Sequence, residues 1–227
     1  ERIKETGYRI VTKIPQIQGL ITWRTVGNLE QGFKKDLKLL GRSSVYCLMV
    51  HSHRDLLRAG SHRLFDFLNT MKGEGWCKKI GVSVYSPNDL FEVTNRYDID
   101  LAQFPISIFD QRFTPKILRS LKAIGGLELH GRSLFLQGML FSKPGQLSRK
   151  FKQVDVTLDR IKHTGFTPLE ASMDFLAQQE HLDEMVIGVH TAKQLLDIIL
   201  AYRNSKGSVD WRSFQIDDTK IINPSLW

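Results

Sequence analysis

The sequence predicts an α/β protein of about six βα units, either an open doubly wound sheet or a fold of the TIM (β/α)8-barrel type. Three observations lead there. Short apolar, β-branched runs alternate with longer amphipathic stretches, in units of roughly 30–40 residues. The runs lack a clean period of two, as expected for strands buried on both faces of a parallel sheet. No Pro/Gly-rich linker interrupts them, so residues 1–227 are expected to form a single domain. Six units are two short of a closed barrel.

The elements follow in order. Tyr8–Lys13 is the first predicted strand. A helix comes next, with Phe33, Leu37 and Leu40 spaced by four and three and Gly41 as its closing residue. Val45–His51 is the second strand. The second helix runs near His62–Lys72, with Leu64, Phe65, Leu68 and Met71 on one face and Gly73 and Gly75 beyond it. Ile80–Tyr85 precedes Ser86-Pro87, a serine cap and a first-turn proline that open the third helix. Leu101–Ile106 leads to a helix near Pro115–Ile124, ended by Gly125-Gly126. Leu127–Ser133 leads to two helices, Gln146–Thr164 and Pro168–Gln179. Met185–His190 leads to Thr191–Arg203, with Leu195, Leu196, Ile199 and Leu200 expected to face inward. The tail Val209–Trp227 has no strong period and is expected to pack across the outside.

Composition narrows the function classes. At 41% hydrophobic and 25% charged, 227 residues can bury a sizeable core without staples. No stretch approaches the ~20 apolar residues of a membrane helix, so no membrane partner is expected. Two cysteines, Cys47 and Cys77, show no CxxC spacing, and no secretory leader is visible, which predicts a cytoplasmic protein. The net charge of +8 comes from scattered basic pairs such as Lys34-Lys35, Lys78-Lys79 and Arg149-Lys150. Nucleic-acid surfaces more often carry runs of five to eight, so no nucleic-acid partner is expected, whereas a phosphate-bearing small ligand fits.

In parallel α/β architectures ligands bind at the carboxyl ends of strands. There the runs end on an unusually polar set: Lys13, His51, Ser83, Gln103, Arg132-Ser133 and His190. Gly188-Val189-His190-Thr191 is a glycine turn entering the helix that carries Gln194, where backbone N–H groups favour phosphate. No GxGxxG, GxxxxGK[ST] or GxSxG is present, which disfavours a Rossmann site, a P-loop or a nucleophile elbow. His51-Ser52-His53 could offer a metal two imidazoles from alternate strand residues, and this supports a third reading, a metal-dependent hydrolase. Such a site needs ligands from other strands; His130 and His190 are available, but Ser83 and Gln103 would be poor ones.

The ordered segments YRIVTKIP, VYCLMVHS, MKGEGWCKKIGVSVYSPNDL, IDLAQFPISIFDQRF, LELHGRSLFLQGML and EMVIGVHTAKQLLDII, closing with INPSLW, resemble the aldo-keto reductases. GVSVYSP and RSxFLQG are closest to a bacterial branch. That resemblance implies an NADP-dependent barrel that reduces an aldehyde or ketone, a small-molecule carbonyl substrate with sugar-derived carbonyls among the candidates, by hydride transfer. By position, Lys13 matches the catalytic lysine and His51 the catalytic histidine. Ser83 and Gln103 match residues that hold the nicotinamide carboxamide, and Arg132 the one that stacks on the nicotinamide. Ser133 and Phe135 match the pyrophosphate-side loop. Gly188, Val189, His190, Thr191 and Gln194 match the adenosine-phosphate site.

The chain also departs from the family. Ser83-Val84 stands where Ser-Asn is usual, and the arginine common in the 2′-phosphate site has no counterpart at Gln194. The match runs from the family's third strand to its C-terminus, so the resemblance implies a TIM (β/α)8-barrel type truncated at its N-terminus. The two units that hold the family's catalytic aspartate and tyrosine have no counterpart, and Tyr8 and Tyr85 lie in the wrong elements to replace the tyrosine. An inactive relative that binds NADP or a partner is therefore the alternative reading. Phe109–Phe113, Trp23 and Phe141–Phe151 are expected to wall the substrate pocket.

Overall fold

The computed structural model describes residues 7–143, 145 and 147–227. The predicted start of the fifth helical region, Gln146, lies outside the described residues. The fold class is as predicted: six parallel strands alternate with helices. The chain divides into two compact units, Glu1–Gln103 with Gly125–Glu128, and Phe104–Ile124 with Leu129–Trp227.

The first unit holds β1 (Val11–Ile14), α1 (Trp23–Leu40), β2 (Val45–Val50), α2 (Ser61–Gly73), β3 (Cys77–Ser83), α3 (Pro87–Thr94) and the start of β4 (Leu101–Pro105). Its ladders are parallel and in chain order, with Lys13 opposite Met49, Met49 opposite Gly81, and Ser83 opposite Gln103. Cys47, Met49 and Leu101 form one buried cluster. Gly81 is required there, because a Cβ would sit 2.8 Å from Leu101 O and 2.9 Å from Cys47 Sγ. Gly41 caps α1 in the left-handed region (φ 65°), which its lack of a side chain permits. Ser86 caps α3 in a reciprocal box with Asp89, with Pro87 in the first turn.

The second unit holds the end of β4, α4 (Pro115–Lys122), β5 (Glu128–Arg132) apart from Glu128, α5 (Lys152–His163), α6 (Pro168–Ala177), β6 (Glu184–Met185), α7 (Ala192–Asn204) and α8 (Thr219–Ile222). In its core Phe104 stacks on Phe113 with centroids 3.9 Å apart, and Trp211 meets Phe166 and Phe214 edge-on. Asp174 of α6 is fully buried. It accepts hydrogen bonds from the backbone of Lys206 (3.0 Å) and Gly207 (2.7 Å), from Trp211 Nε1 (2.9 Å) and from Gln178 Nε2 (3.3 Å). The segment after α7 is thereby fastened to α6.

Two expectations are corrected here. Met185–His190 is not a strand. β6 spans two residues, Val186 N–H still reaches Gly131 O at 2.8 Å, and the chain then leaves the ladder. Nor do Leu195, Leu196, Ile199 and Leu200 face inward, since they are 41%, 54%, 38% and 47% exposed. In a βα unit the helix buries its apolar stripe over its own strand and the next one. Here the helix's own strand is two residues long, and among the described residues β6 pairs with β5 alone.

Candidate active site and cofactor cleft

The first unit presents one group of predicted residues. The parallel register places Lys13 near the end of β1, His51 directly after β2, Ser83 at the end of β3 and Gln103 in β4. Ser83 and Gln103 are buried, 2% and 5% exposed, while Lys13 and His51 are open to solvent. Gln103 Oε1 accepts a hydrogen bond from Lys13 Nζ at 2.6 Å, so the side chain matched to a cofactor amide holds the ammonium. The loop after β1 is clamped beside them. Buried Asp55 accepts from Ile17 N (3.0 Å) and pairs with Arg58 (2.9 Å), whose guanidinium also donates to Ile17 O and Gly19 O. That clamp fixes the exit of β1, and with it the base from which Lys13 projects.

The second unit presents the other group around a cleft of about 620 Å³, within the usual range of small-ligand sites. Ser133, Phe135, Gly188, Val189, His190 and Gln194 line it with Phe141, joined by Gln137, Gly138, Leu169, Val186, Ile187, Asp197 and Ile198, which the sequence did not single out. Thr191 caps α7 beside the cleft, its hydroxyl accepting from Gln194 N at 3.1 Å. Gln194 Oε1 in turn accepts from His190 N at 2.8 Å, so this amide spends its acceptor on the turn itself. Opposite, Ser133, Leu136 and Gln137 hold φ of 58°, 44° and 55°, a strained run of the kind that gathers at ligand sites. Arg132 is half-buried and donates to Ser133 Oγ at 3.1 Å.

Other expectations meet different surroundings. β2 ends at Val50 and His53 opens a short 3₁₀ turn, so His51 and His53 are not alternate residues of one strand. His53 Nε2 lies 3.3 Å from Asp89 Oδ1. Burial lowers the His53 pKa, against the pull of that carboxylate. Among the described residues, no three His, Cys, Asp or Glu side chains are grouped to hold a metal. Phe109 is a core residue, 0% exposed, while Phe113, 1% exposed, stacks on Phe104 and also borders, with Gln111, a second cavity of this unit. Trp23 is 63% exposed on α1, and Phe141 does wall the cleft.

The cleft's chemistry suits one end of a dinucleotide. Phe135, Phe141 and Leu169 offer apolar walls for a purine, and Gly188 leaves open space where a side chain would stand. The N-terminus of α7 favours negative charge. A phosphate on the ribose 2′ position finds no such match, because none of the described residues lining the cleft is lysine or arginine.

These observations meet the comparisons with known proteins. The model of the aldo/keto reductase family matches residues 1–214, and the chain belongs to that family. The structure is similar to an aldo-keto reductase from Bacillus halodurans in its apo form, at 15% identity and TM-score 0.71, covering 90% of this chain and 69% of that one. It is similar to an aldo-keto reductase from Pseudomonas aeruginosa at 14% identity and TM-score 0.63, covering 88% of this chain and 66% of that one. A third similar structure, assigned as a 2,5-diketo-D-gluconic acid reductase B, is 15% identical with TM-score 0.66, covering 98% of this chain and 73% of that one. The chain thus spans about two thirds to three quarters of the length of these reductases. No curated protein matches. No helix among the described residues is long and apolar enough to cross a membrane.

Proposed function

We propose that the protein acts in the reduction of an aldehyde or ketone, with a nicotinamide dinucleotide as the source of hydride. The observation that carries this reading is the pairing of Lys13, near the end of β1, with Gln103 in the middle of β4, in a chain of the aldo/keto reductase family. When bound, the dinucleotide supplies a hydride equivalent; the remaining tasks fall to side chains. The ammonium of Lys13, oriented by Gln103, stabilises the negative charge that develops on the carbonyl oxygen, and the alkoxide then takes its proton from solvent. His51, at the open end of β2, donates a hydrogen bond to the carbonyl oxygen and polarises it. Ser83 offers a buried hydroxyl for an amide. Arg132 presents a guanidinium plane for stacking against a ring. The cleft lined by Ser133, Phe135 and the Gly188–Gln194 turn holds the adenosine-phosphate end.

The test is dinucleotide oxidation over a panel of aldehydes and ketones, with dinucleotide affinity measured separately. His51→Ala is expected to lower kcat roughly 10²–10⁴-fold, the usual worth of a positioned acid–base group, while leaving dinucleotide affinity unchanged. Equal rates for the two proteins would remove His51 from the reaction. A folded protein that binds no dinucleotide would overturn the reading as a whole.

A further inference from the structure

We propose that the cleft of the second unit selects the dinucleotide without a 2′-phosphate, NAD(H) over NADP(H), and that Asp197 is a determinant of that choice. This inference rests on the reading of the cleft as the adenosine-phosphate site. The argument is one of charge. A 2′-phosphate brings close to two negative charges, and partly buried phosphate is ordinarily met by arginine or lysine. Here the described lining residues include no such cation, and the fixed charge among them is the carboxylate of Asp197.

Lys193, one turn before Asp197 on α7, does not serve as a replacement. Its side chain is 81% exposed, it does not line the cleft, and its ammonium is tied to Asp197 Oδ2 at 2.6 Å. Gln194 is likewise engaged, its Oε1 closing the turn on His190 N. What the cleft offers a ribose is therefore acceptors and small donors: the Asp197 carboxylate, the Ser133 hydroxyl and the Gln137 amide. Lys193 engages Oδ2 of Asp197, so Oδ1 is the atom placed to accept a hydrogen bond from a 2′-hydroxyl, a bond that a 2′-phosphate, itself an acceptor, cannot donate.

The experiment is calorimetric titration of the full chain with NAD+ and with NADP+, which needs no turnover. NAD+ is expected to bind at least roughly tenfold more tightly, with the gap narrowing as salt is raised, because repulsion at this open site is screened. Asp197→Asn is expected to narrow the gap and Asp197→Lys to close or reverse it. The position is partly exposed, so Asp197→Asn keeps the test available if the lysine variant folds poorly. NADP+ binding as tightly as NAD+, or a ratio unmoved by both substitutions, would overturn the proposal. If neither dinucleotide binds while circular dichroism shows a folded chain, the reading of the cleft itself falls, and the proposal with it.

Discussion

Asp174→Ala is expected to destabilise the second unit severely, and the size of the effect can be worked from its contacts. The carboxylate is fully buried and accepts four hydrogen bonds, three of them at 3.0 Å or shorter. Hydrogen bonds to a charged acceptor contribute ~1.5–3 kcal/mol each, and a buried donor left without a partner costs ~1–3 kcal/mol. Lys206 and Gly207 are exposed, so their N–H groups can turn to water once the acceptor is gone. Trp211 is 1% exposed and its Nε1 cannot. Removing the carboxylate also relieves the cost of burying a charge, which offsets part of the loss. The net expectation is a loss of about 3–5 kcal/mol for Asp174→Ala, and about 1–3 kcal/mol for Asp174→Asn, which keeps a neutral acceptor.

Urea unfolding followed by tryptophan emission reads this directly. With m values of roughly 1–3 kcal/mol/M, the alanine variant should unfold about 1–5 M earlier. The pH dependence supplies a second reading. Burial pushes the Asp174 carboxyl up, but its hydrogen bonds to Trp211, Gly207, Lys206 and Gln178 prevail and hold it below the usual range. A depressed folded value means the unfolded chain takes up the proton first, so the stabilisation is present above pH ~3.9 and lost as pH falls further. Asp174→Ala should lack that acid-side slope. A midpoint equal to that of the wild type, or an unaltered acid limb, would refute the clasp as a source of stability.

Three further outcomes follow from features already described. Gly81→Ala should lower Tm by several degrees, an overpacking cost of about 1–3 kcal/mol, because its Cβ meets the backbone oxygen of Leu101; an unchanged melting curve would show that the β3–β4 ladder yields freely. Both thiols should resist Ellman's reagent until the chain unfolds. Cys47 and Cys77 are buried, and burial pushes the Cys77 thiol up to about 11 and that of Cys47 higher still. Prompt labelling of the native protein would contradict this. His53, whose pKa burial depresses, favours the folded state above its unfolded value of ~6.5 and loses that contribution as pH falls through its folded value; His53→Gln should flatten stability across that window in pH-jump melts.

Local signals made much of this legible in advance. Ser86-Pro87 and Gly41 announced helix ends because caps depend on a few adjacent residues, and both are where expected. The start of α1 at Trp23 was harder to read. Its box pairs Thr22 with Thr25, without the glutamate that usually marks such a start, and Gly27 and Gly32 dilute the helix pattern. Lys13, His51, Ser83 and Gln103 could be picked out as polar ends of apolar strands. The bond from Lys13 to Gln103 could not, because it joins residues 90 positions apart. Phe109 and Phe113 read as pocket walls because aromatic content does not reveal which ring stacks on Phe104. Asp197 carries no signal of its own in the sequence, standing four residues after Lys193 like any ion pair on a helix surface, which it also forms. Its second neighbour, the cleft, depends on where α7 lies against the loop after β5.

The outward stripe of α7 has a practical consequence for anyone handling the purified chain. Leu195, Leu196, Ile199 and Leu200 make a contiguous greasy band on a helix where charged residues would ordinarily confer solubility. The chain's charge of +8 keeps copies apart at low ionic strength, and added salt removes that protection while leaving the band as adhesive as before. Buffers of low salt, dilute stocks and a mild detergent are therefore the natural conditions for this protein, and precipitation on salting would begin at α7.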